Sequence, residues 1–273
     1  MGYELVHFEN GATSLKSTAL GEAMHSSIGP SEEARKVHIG PSRLRERLEV
    51  AGGTPLSVFD LGLGIAANAL SAVECRLALG PSARPLRIIS FENDLNGLKT
   101  VLSQPESFPL VATHRAAVET LLSSGRWAHP SGAILWELRA GDFLQDPLDG
   151  VPAPEAIYFD FYSPKATPDL WGFHVFNRLR KVCGRERCIL TTYSAATRIR
   201  SALLLAGFFV GHGEATSAKM ETTVAATRRE DLDAPLGKEW FSKFNRSARA
   251  IPEDLPVEEW ESARIRILAD FAR

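Results

Sequence analysis

The stretch FDLGLGIAAN, Phe59 to Asn68, decides how this 273-residue chain is read. It continues the apolar run LSVFDL and leads into a helical pattern, with Ala66, Ala69, Leu70, Val73 and Leu77 on one apolar stripe. A buried strand, a glycine turn and a helix, in that order, open a parallel α/β sheet. Glycines at Gly62 and Gly64 let the backbone turn tightly and let a ligand approach the main chain at a helix start. The alternation then repeats. PLRIISFE, AILWELRAGD, EAIYFDF and CILTTYS read as further strands, and DLWGFHVFNRLRKV and the segment from Ile199 to Gly207 as helices. GFFVGHG and METTVAATR read as a terminal strand pair. Glu92 and Gly141 are ~50 residues apart where one helical crossover needs about a dozen, so helices are inserted there, HRAAVETLLSSG among them.

Composition sets the class. With 44% apolar and 23% charged residues the chain can bury a substantial core, and a net charge of −2 gives no general attraction to nucleic acid or to a membrane surface. No apolar run is long enough to span a bilayer, and the start MGYELVHFENG lacks the pattern of a signal peptide. A cytoplasmic protein is the expectation. Cys75, Cys183 and Cys188 cannot all pair and show no zinc spacing, so reduced thiols are expected. The seven histidines are scattered, without metal-ligand spacing; they read as structural or surface residues, and no metal is expected.

Four acids stand at the ends of the first four core strands: Asp60, Glu92, Asp142 and Asp160. Ligands of open α/β sheets bind outside those ends. A nicotinamide dinucleotide would use the glycine turn, with Ala67 at the last position of G-x-G-x-x-G/A and Glu92 on a ribose. S-adenosylmethionine would use all of these features together with Asp60 before the glycines and the pair Asp142–Phe143. In the second reading, which fits more of the acids, Asp60 lies near the ammonium end. Gly62 and Gly64 offer backbone amides, Glu92 accepts the ribose hydroxyls, Asp142 accepts the adenine amine and Phe143 packs the ring. The plainer alternative is that Glu92 and Asp142 cap the helices that follow them.

The fourth strand ends in YFDFYSPKATPDLW, Tyr158 to Trp171. Methyl transfer is an in-line displacement in which alignment dominates, and an amine must be neutral to attack. A carboxylate at Asp160 can orient such an amine and take its proton. Phe161, Tyr162 and Ser163 would wall the acceptor side, and Lys165 would reach a phosphate; core packing is the alternative for the aromatics.

DLGLGIAAN, ISFEN, AGDF, FDFYSPKATPDLW and TTYSAATRIRSALLLAGF, in this order, resemble the methyltransferase of the MnmC type, which completes the 5-methylaminomethyl group of wobble uridine in tRNA. The resemblance runs from about Ser57 to Thr227. Upstream, Asn10, Gly11, Thr13, Gly21, Glu22, His25 and Ser26 fit the N-terminal segment of stand-alone members, which lack the fused oxidase domain and take aminomethyl-uridine made elsewhere. The resemblance implies a class I methyltransferase fold. That fold has a Rossmann-like, mostly parallel seven-stranded sheet with a terminal antiparallel hairpin strand, and a helical insertion after the second strand. It implies S-adenosylmethionine as cofactor, Asn68 kept in the cofactor turn, Asp160 as the family acid and tRNA as partner. The expected layout is an N-terminal extension 1–50 on the substrate and cofactor side, a methyltransferase domain 51–229 with its insertion at about 95–132, and a C-terminal helical extension 230–273.

Some positions depart from the family pattern. Ala66 replaces the third glycine of the turn, Phe161 a glycine, Tyr162 a phenylalanine and Thr167 an asparagine. The hairpin GEATSAKME keeps Lys219 and Glu221 but not the family's arginines. Phosphate contacts dominate nucleic-acid affinity, so the cluster Arg35, Lys36, Arg43, Arg45 and Arg47 is either a compensating contact surface or a solvated helix face. Two further activities remain open: methylation of another amine or small molecule on the same fold, and a non-catalytic binding module.

Overall fold

The structure, a computed structural model, describes residues 2–50, 52–216 and 221–272. Strands are numbered in chain order: β1 (Tyr3–His7), β2 (Thr13–Ser17), β3 (Leu56–Leu61), β4 (Leu86–Glu92), β5 (Arg126–Ala128), β6 (Ile134–Ala140), β7 (Ala156–Phe159), β8 (Ile189–Thr192), β9 (Phe209–Gly213) and β10 (Thr222–Ala226). β3 to β10 form one sheet in the order β5-β6-β4-β3-β7-β8-β10-β9. From β6 to β8 neighbouring strands run parallel, β10 is antiparallel to both β8 and β9, and β5 is antiparallel to β6. The seven expected strands are all present. The eighth, β5, has three residues, too few for any alternation to register in sequence.

All six residues of β3 are buried, as expected for a central parallel strand covered on both faces. Side chains of a strand alternate between faces. Phe59 and Leu61 therefore join Phe91, Phe159 and Phe176 in one core, while Leu56 and Val58 join Leu70, Val73 and Trp136 in the other. The helix Ala67–Leu77 covers the second face, and the helices Phe173–Cys183 and Thr197–Leu205 cover the first. The expected helix DLWGFHVFNRLRKV is interrupted at Gly172, where the extended backbone separates a short 3-10 turn, Pro168–Trp171, from the helix proper.

The interval after β4 holds the helices Asn96–Ser103, Pro109–Thr113 and Arg115–Ser124 before β5. Helices Lys238–Arg246 and Trp260–Phe271 follow the sheet, and Phe244 and Ile267 bury completely in the first core. The N-terminal residues form an element that periodicity does not reveal, the two-stranded hairpin β1–β2. No described helix is long and apolar enough to cross a membrane.

Candidate active site

Parallel pairing aligns the carboxyl ends of β6, β4, β3 and β7. Leu61 lies opposite Phe91 on one side and Phe159 on the other, and Glu92 lies opposite Ala140. The residues just past these ends, Gly62, Glu92, Asp142 and Asp160, therefore meet. They line a cavity of about 400 Å³, ordinary for a small-molecule site. Gly64, Asn68, Phe143, Phe161, Tyr162 and Ser163 line it too.

Gly62 cannot carry a side chain. Its φ is +86°, and a Cβ there would lie 2.7 Å from the Asp160 carbonyl oxygen. The Asp160 amide donates to the Leu61 carbonyl at 2.9 Å, which locks the turn against the end of β7. Ala66, in the place of the third family glycine, also adopts a left-handed conformation, φ 66°.

Glu92 is the organising acid of the turn. One carboxylate oxygen accepts the Gly64 amide at 2.9 Å and the other accepts the Asp94 amide at 2.9 Å. Burial pushes its carboxyl above the ordinary value, against the lowering effect of these backbone donors. Each oxygen keeps a lone pair for a further donor. This donor set and the Gly62 cradle fit the ribose and backbone-facing part of S-adenosylmethionine. Phe143 packs edge-on against Phe91 at 5.3 Å between centroids, with the Arg178 guanidinium 5.1 Å from its own ring centre. Asp142 is exposed and accepts the Leu144 amide at 2.9 Å.

Asp160 is fixed from one side. Oδ2 accepts Asn68 Nδ2 at 2.8 Å and lies 3.8 Å from His38 Nε2. Burial would raise its carboxyl, but the His38 imidazole nearby, with smaller contributions from His25 and the Asn68 hydrogen bond, holds it below the ordinary value. Asp160 is therefore an anion throughout the neutral range.

Two expected site residues lie apart. Asp60 does not line the cavity: strand alternation turns it to the face of Val58, where it is 1% exposed and Oδ2 accepts Ser90 Oγ at 2.7 Å. Ser90 Oγ in turn accepts Trp136 Nε1 at 2.9 Å, so the acid ends a buried polar string running across β6, β4 and β3. Burial pushes its carboxyl up to about 7, and neighbouring Asp160 and Glu92 add to this. Lys165 is exposed and outside the lining, on the outer side of the loop that presents Ser163.

The N-terminal segment, expected on the substrate and cofactor side, supplies further lining residues. Glu22 accepts the Ser163 hydroxyl at 2.6 Å and the Ser163 amide at 3.2 Å, and Tyr3 donates to Asp94 at 3.2 Å. Tyr3, Glu22, Met24, His25, Ser26 and Glu33 all line the cavity. His25 and His38 are buried beside Asp160, so of the structural or surface reading the structural half holds for them. Glu22, His25 and Ser26 stood in the N-terminal motif; His38 carried no signal beyond its residue type.

Each member of the basic cluster has an acidic partner. Arg35 and Lys36 pair with Glu32, Arg45 with Glu49, Arg43 with Asp233 and Arg47 with Glu155. Lys219 lies outside the described residues.

Comparison with known proteins bears on the fold and the cofactor class. Residues 133–228 match a family described as S-adenosyl-L-methionine-dependent methyltransferase. The bifunctional tRNA 5-methylaminomethyl-2-thiouridine biosynthesis protein MnmC of Polaromonas naphthalenivorans is 27% identical over 240 residues, 84% of this chain and 35% of that protein. That of Ralstonia nicotianae is 39% identical over 154 residues, 54% of this chain and 22% of that protein. The chain thus spans about a third or less of the length of these relatives. Among solved structures, MnmC2 from Aquifex aeolicus superposes with a TM-score of 0.74 at 23% identity, over 97% of this chain and 83% of that one, and shares its fold. The chain is thus similar to the MnmC-type proteins, and its residues 133–228 match the S-adenosyl-L-methionine-dependent methyltransferase family.

Proposed function

We propose that this methyltransferase transfers a methyl group to the primary amine of an aminomethyl-bearing wobble uridine in tRNA. One observation carries the amine: among the described residues, the cavity is lined by six carboxylates, Glu22, Glu33, Glu92, Asp94, Asp142 and Asp160, and by no lysine or arginine. A cavity of that charge favours cations and hydrogen-bond donors and repels phosphate, so a nucleotide acceptor enters by its base and keeps its phosphates outside. S-adenosylmethionine, when bound, supplies an electrophilic methyl group on a cationic sulfonium.

The protein's part is alignment and charge. Glu92 takes ribose hydroxyls on its free lone pairs, Gly62 and Gly64 keep the backbone close, and Asp142 and Phe143 flank the adenine side. Asn68 fixes Asp160 through Oδ2, so Oδ1 is left to accept an N–H of the acceptor amine and set its lone pair in line. With its carboxyl held below the ordinary value, Asp160 is a weak base. Its contribution is to orient the amine and to stabilise the positive charge that grows on nitrogen. Phe161, Tyr162 and Ser163 wall the acceptor side; Lys165, exposed and outside the lining, would reach a phosphate.

Transfer of labelled methyl from the cofactor to tRNA tests this reading. Label should enter tRNA bearing aminomethyl-uridine and not tRNA that lacks the group. A second reading, a small amine as acceptor, is favoured by the carboxylate pairing of Arg35, Lys36, Arg43, Arg45 and Arg47. It wins if a free amine is labelled and the aminomethyl tRNA is not.

A further inference from the structure

Of the six carboxylates that line the cavity, five already have a task. Glu92 faces the ribose and Asp142 the adenine side. Asp94 accepts the Tyr3 hydroxyl and the Asn96 amide, Glu22 accepts Ser163 on both oxygens, and Asp160 keeps Oδ1 for the amine. Glu33 is the sixth.

Glu33 lies in the helical turn Pro30–Ala34, which buries Ala34 and packs on the helix Ala67–Leu77. Its Oε2 accepts both the Ser26 amide and the Ser26 hydroxyl, each at 2.7 Å. Oε1 has no donor among the described residues. The neighbours of Glu33 put it at the acceptor end of the cavity. The charges of Glu33 and Asp160 both act on the His25 ring and on the Tyr193 phenol, whereas those of Glu92 and Asp94 act on Tyr3. Tyr193 is itself part of the acceptor wall: its hydroxyl donates to the Phe161 carbonyl at 3.0 Å, and its ring meets Trp171 edge-on at 5.6 Å between centroids.

The base of an aminomethyl-uridine carries donors at two places, the amine and the ring imide N–H; its ring oxygens only accept. A carboxylate also only accepts. With Asp160 on the amine, the imide N–H is the remaining donor, and Glu33 Oε1 is the carboxylate oxygen left for it at that end.

We propose that Glu33 determines the base specificity of the site, its Oε1 accepting the ring imide N–H of the acceptor uracil while Asp160 holds the amine. Cytosine has a bare lone pair at the same ring position and would set it against a carboxylate, a repulsion that excludes the wrong base. The inference rests on the aminomethyl-uridine reading above.

Glu33→Gln tests it with a directed reversal. The two Ser26 donors claim the one oxygen that glutamine has, so its NH2 group takes the place of Oε1 and donates where the carboxylate accepted. Transfer of labelled methyl is measured on two tRNAs, ligated from synthetic fragments, that differ only in carrying 5-aminomethyl-uridine or 5-aminomethyl-cytidine at the wobble position. The wild type should favour the uridine by about tenfold or more in kcat/KM. In Glu33→Gln the uridine value should fall about tenfold or more while the cytidine value does not fall. Affinity for S-adenosylhomocysteine, read by calorimetry, should stay as in the wild type. Equal losses on both tRNAs make Glu33 a strut for Ser26 or a second amine contact, and overturn the proposal. A wild type that does not distinguish the two bases overturns it without any variant. Transfer to neither tRNA by the wild type overturns the aminomethyl-uridine reading itself, and this inference with it.

Discussion

Replacing Asp60 by asparagine separates a structural acid from a ligand-binding one, and the structure sets the size of the effect. The carboxyl is 1% exposed, receives Ser90 Oγ on Oδ2 and has no hydrogen-bond partner on Oδ1. Its pKa is raised from 3.8 to about 7, chiefly by burial. A raised carboxyl penalises the fold only once the group ionises. The penalty is absent below the unfolded value, grows as pH climbs from 3.8 to about 7, and is complete above that. At 1.36 kcal/mol per tenfold change in proton affinity, it reaches about 1.7 kcal/mol at pH 5 and about 4 kcal/mol at pH 8. Asparagine carries no such penalty but places an amide where no acceptor waits, at about 1–3 kcal/mol independent of pH. The difference in unfolding free energy between Asp60→Asn and wild type should therefore move in favour of the variant by about 2.5 kcal/mol from pH 5 to pH 8. Urea denaturation at the two pH values measures it. A difference constant within about 0.5 kcal/mol refutes the account. Calorimetry with S-adenosylhomocysteine decides the other role. Since Asp60 lies outside the cavity lining, its affinity should not change; a large loss would return Asp60 to the cofactor's ammonium end.

Other substitutions follow from single contacts. Gly62→Ala should lower unfolding free energy by roughly 2–5 kcal/mol, from left-handed strain and from the Cβ pressing on the Asp160 carbonyl; a loss below about 0.5 kcal/mol in urea would contradict it. Glu92→Gln, which cannot accept both the Gly64 and Asp94 amides, should weaken S-adenosylhomocysteine binding by about tenfold or more, as read by calorimetry. Asp160→Asn should lose turnover at unchanged S-adenosylhomocysteine affinity, and full activity would remove Asp160 from the reaction. Arg47→Ala removes the donors that Arg47 gives to the Glu155 carbonyl and carboxylate, while Arg84 still holds that carboxylate. It should cost about 1–3 kcal/mol of stability and leave the salt dependence of tRNA binding unchanged; a shallower salt slope would make Arg47 a phosphate contact.

The sequence by itself determined the elements whose signal is local. The strands LSVFDL, PLRIISFE and EAIYFDF are mostly apolar because both faces of a central parallel strand are buried, and each carries an acid at or near its end. Order along the chain then placed Gly62, Glu92, Asp142 and Asp160 at consecutive strand ends, so most of one wall of the cavity was legible before any fold was drawn. β5 and the hairpin β1–β2 were not, being too short or too mixed for a period to emerge.

What only the tertiary structure decided depends on which side of a strand a residue faces and on what arrives from far along the chain. Asp60 and Asp160 look alike in sequence, both acids at strand ends. Alternation turns Asp60 toward Ser90, while Asp160 lies beyond β7 and opens into the cavity. His38 is separated from Thr191 by 153 positions, and Glu22 from Ser163 by 141, so no spacing rule joins them. Arg43 likewise looked available for phosphate until folding brought Asp233 against it. Hydrophobic periodicity records how much of a residue is buried; it does not record which charge lies opposite, and that is what makes this cavity acidic and gives each member of the basic cluster an acidic partner.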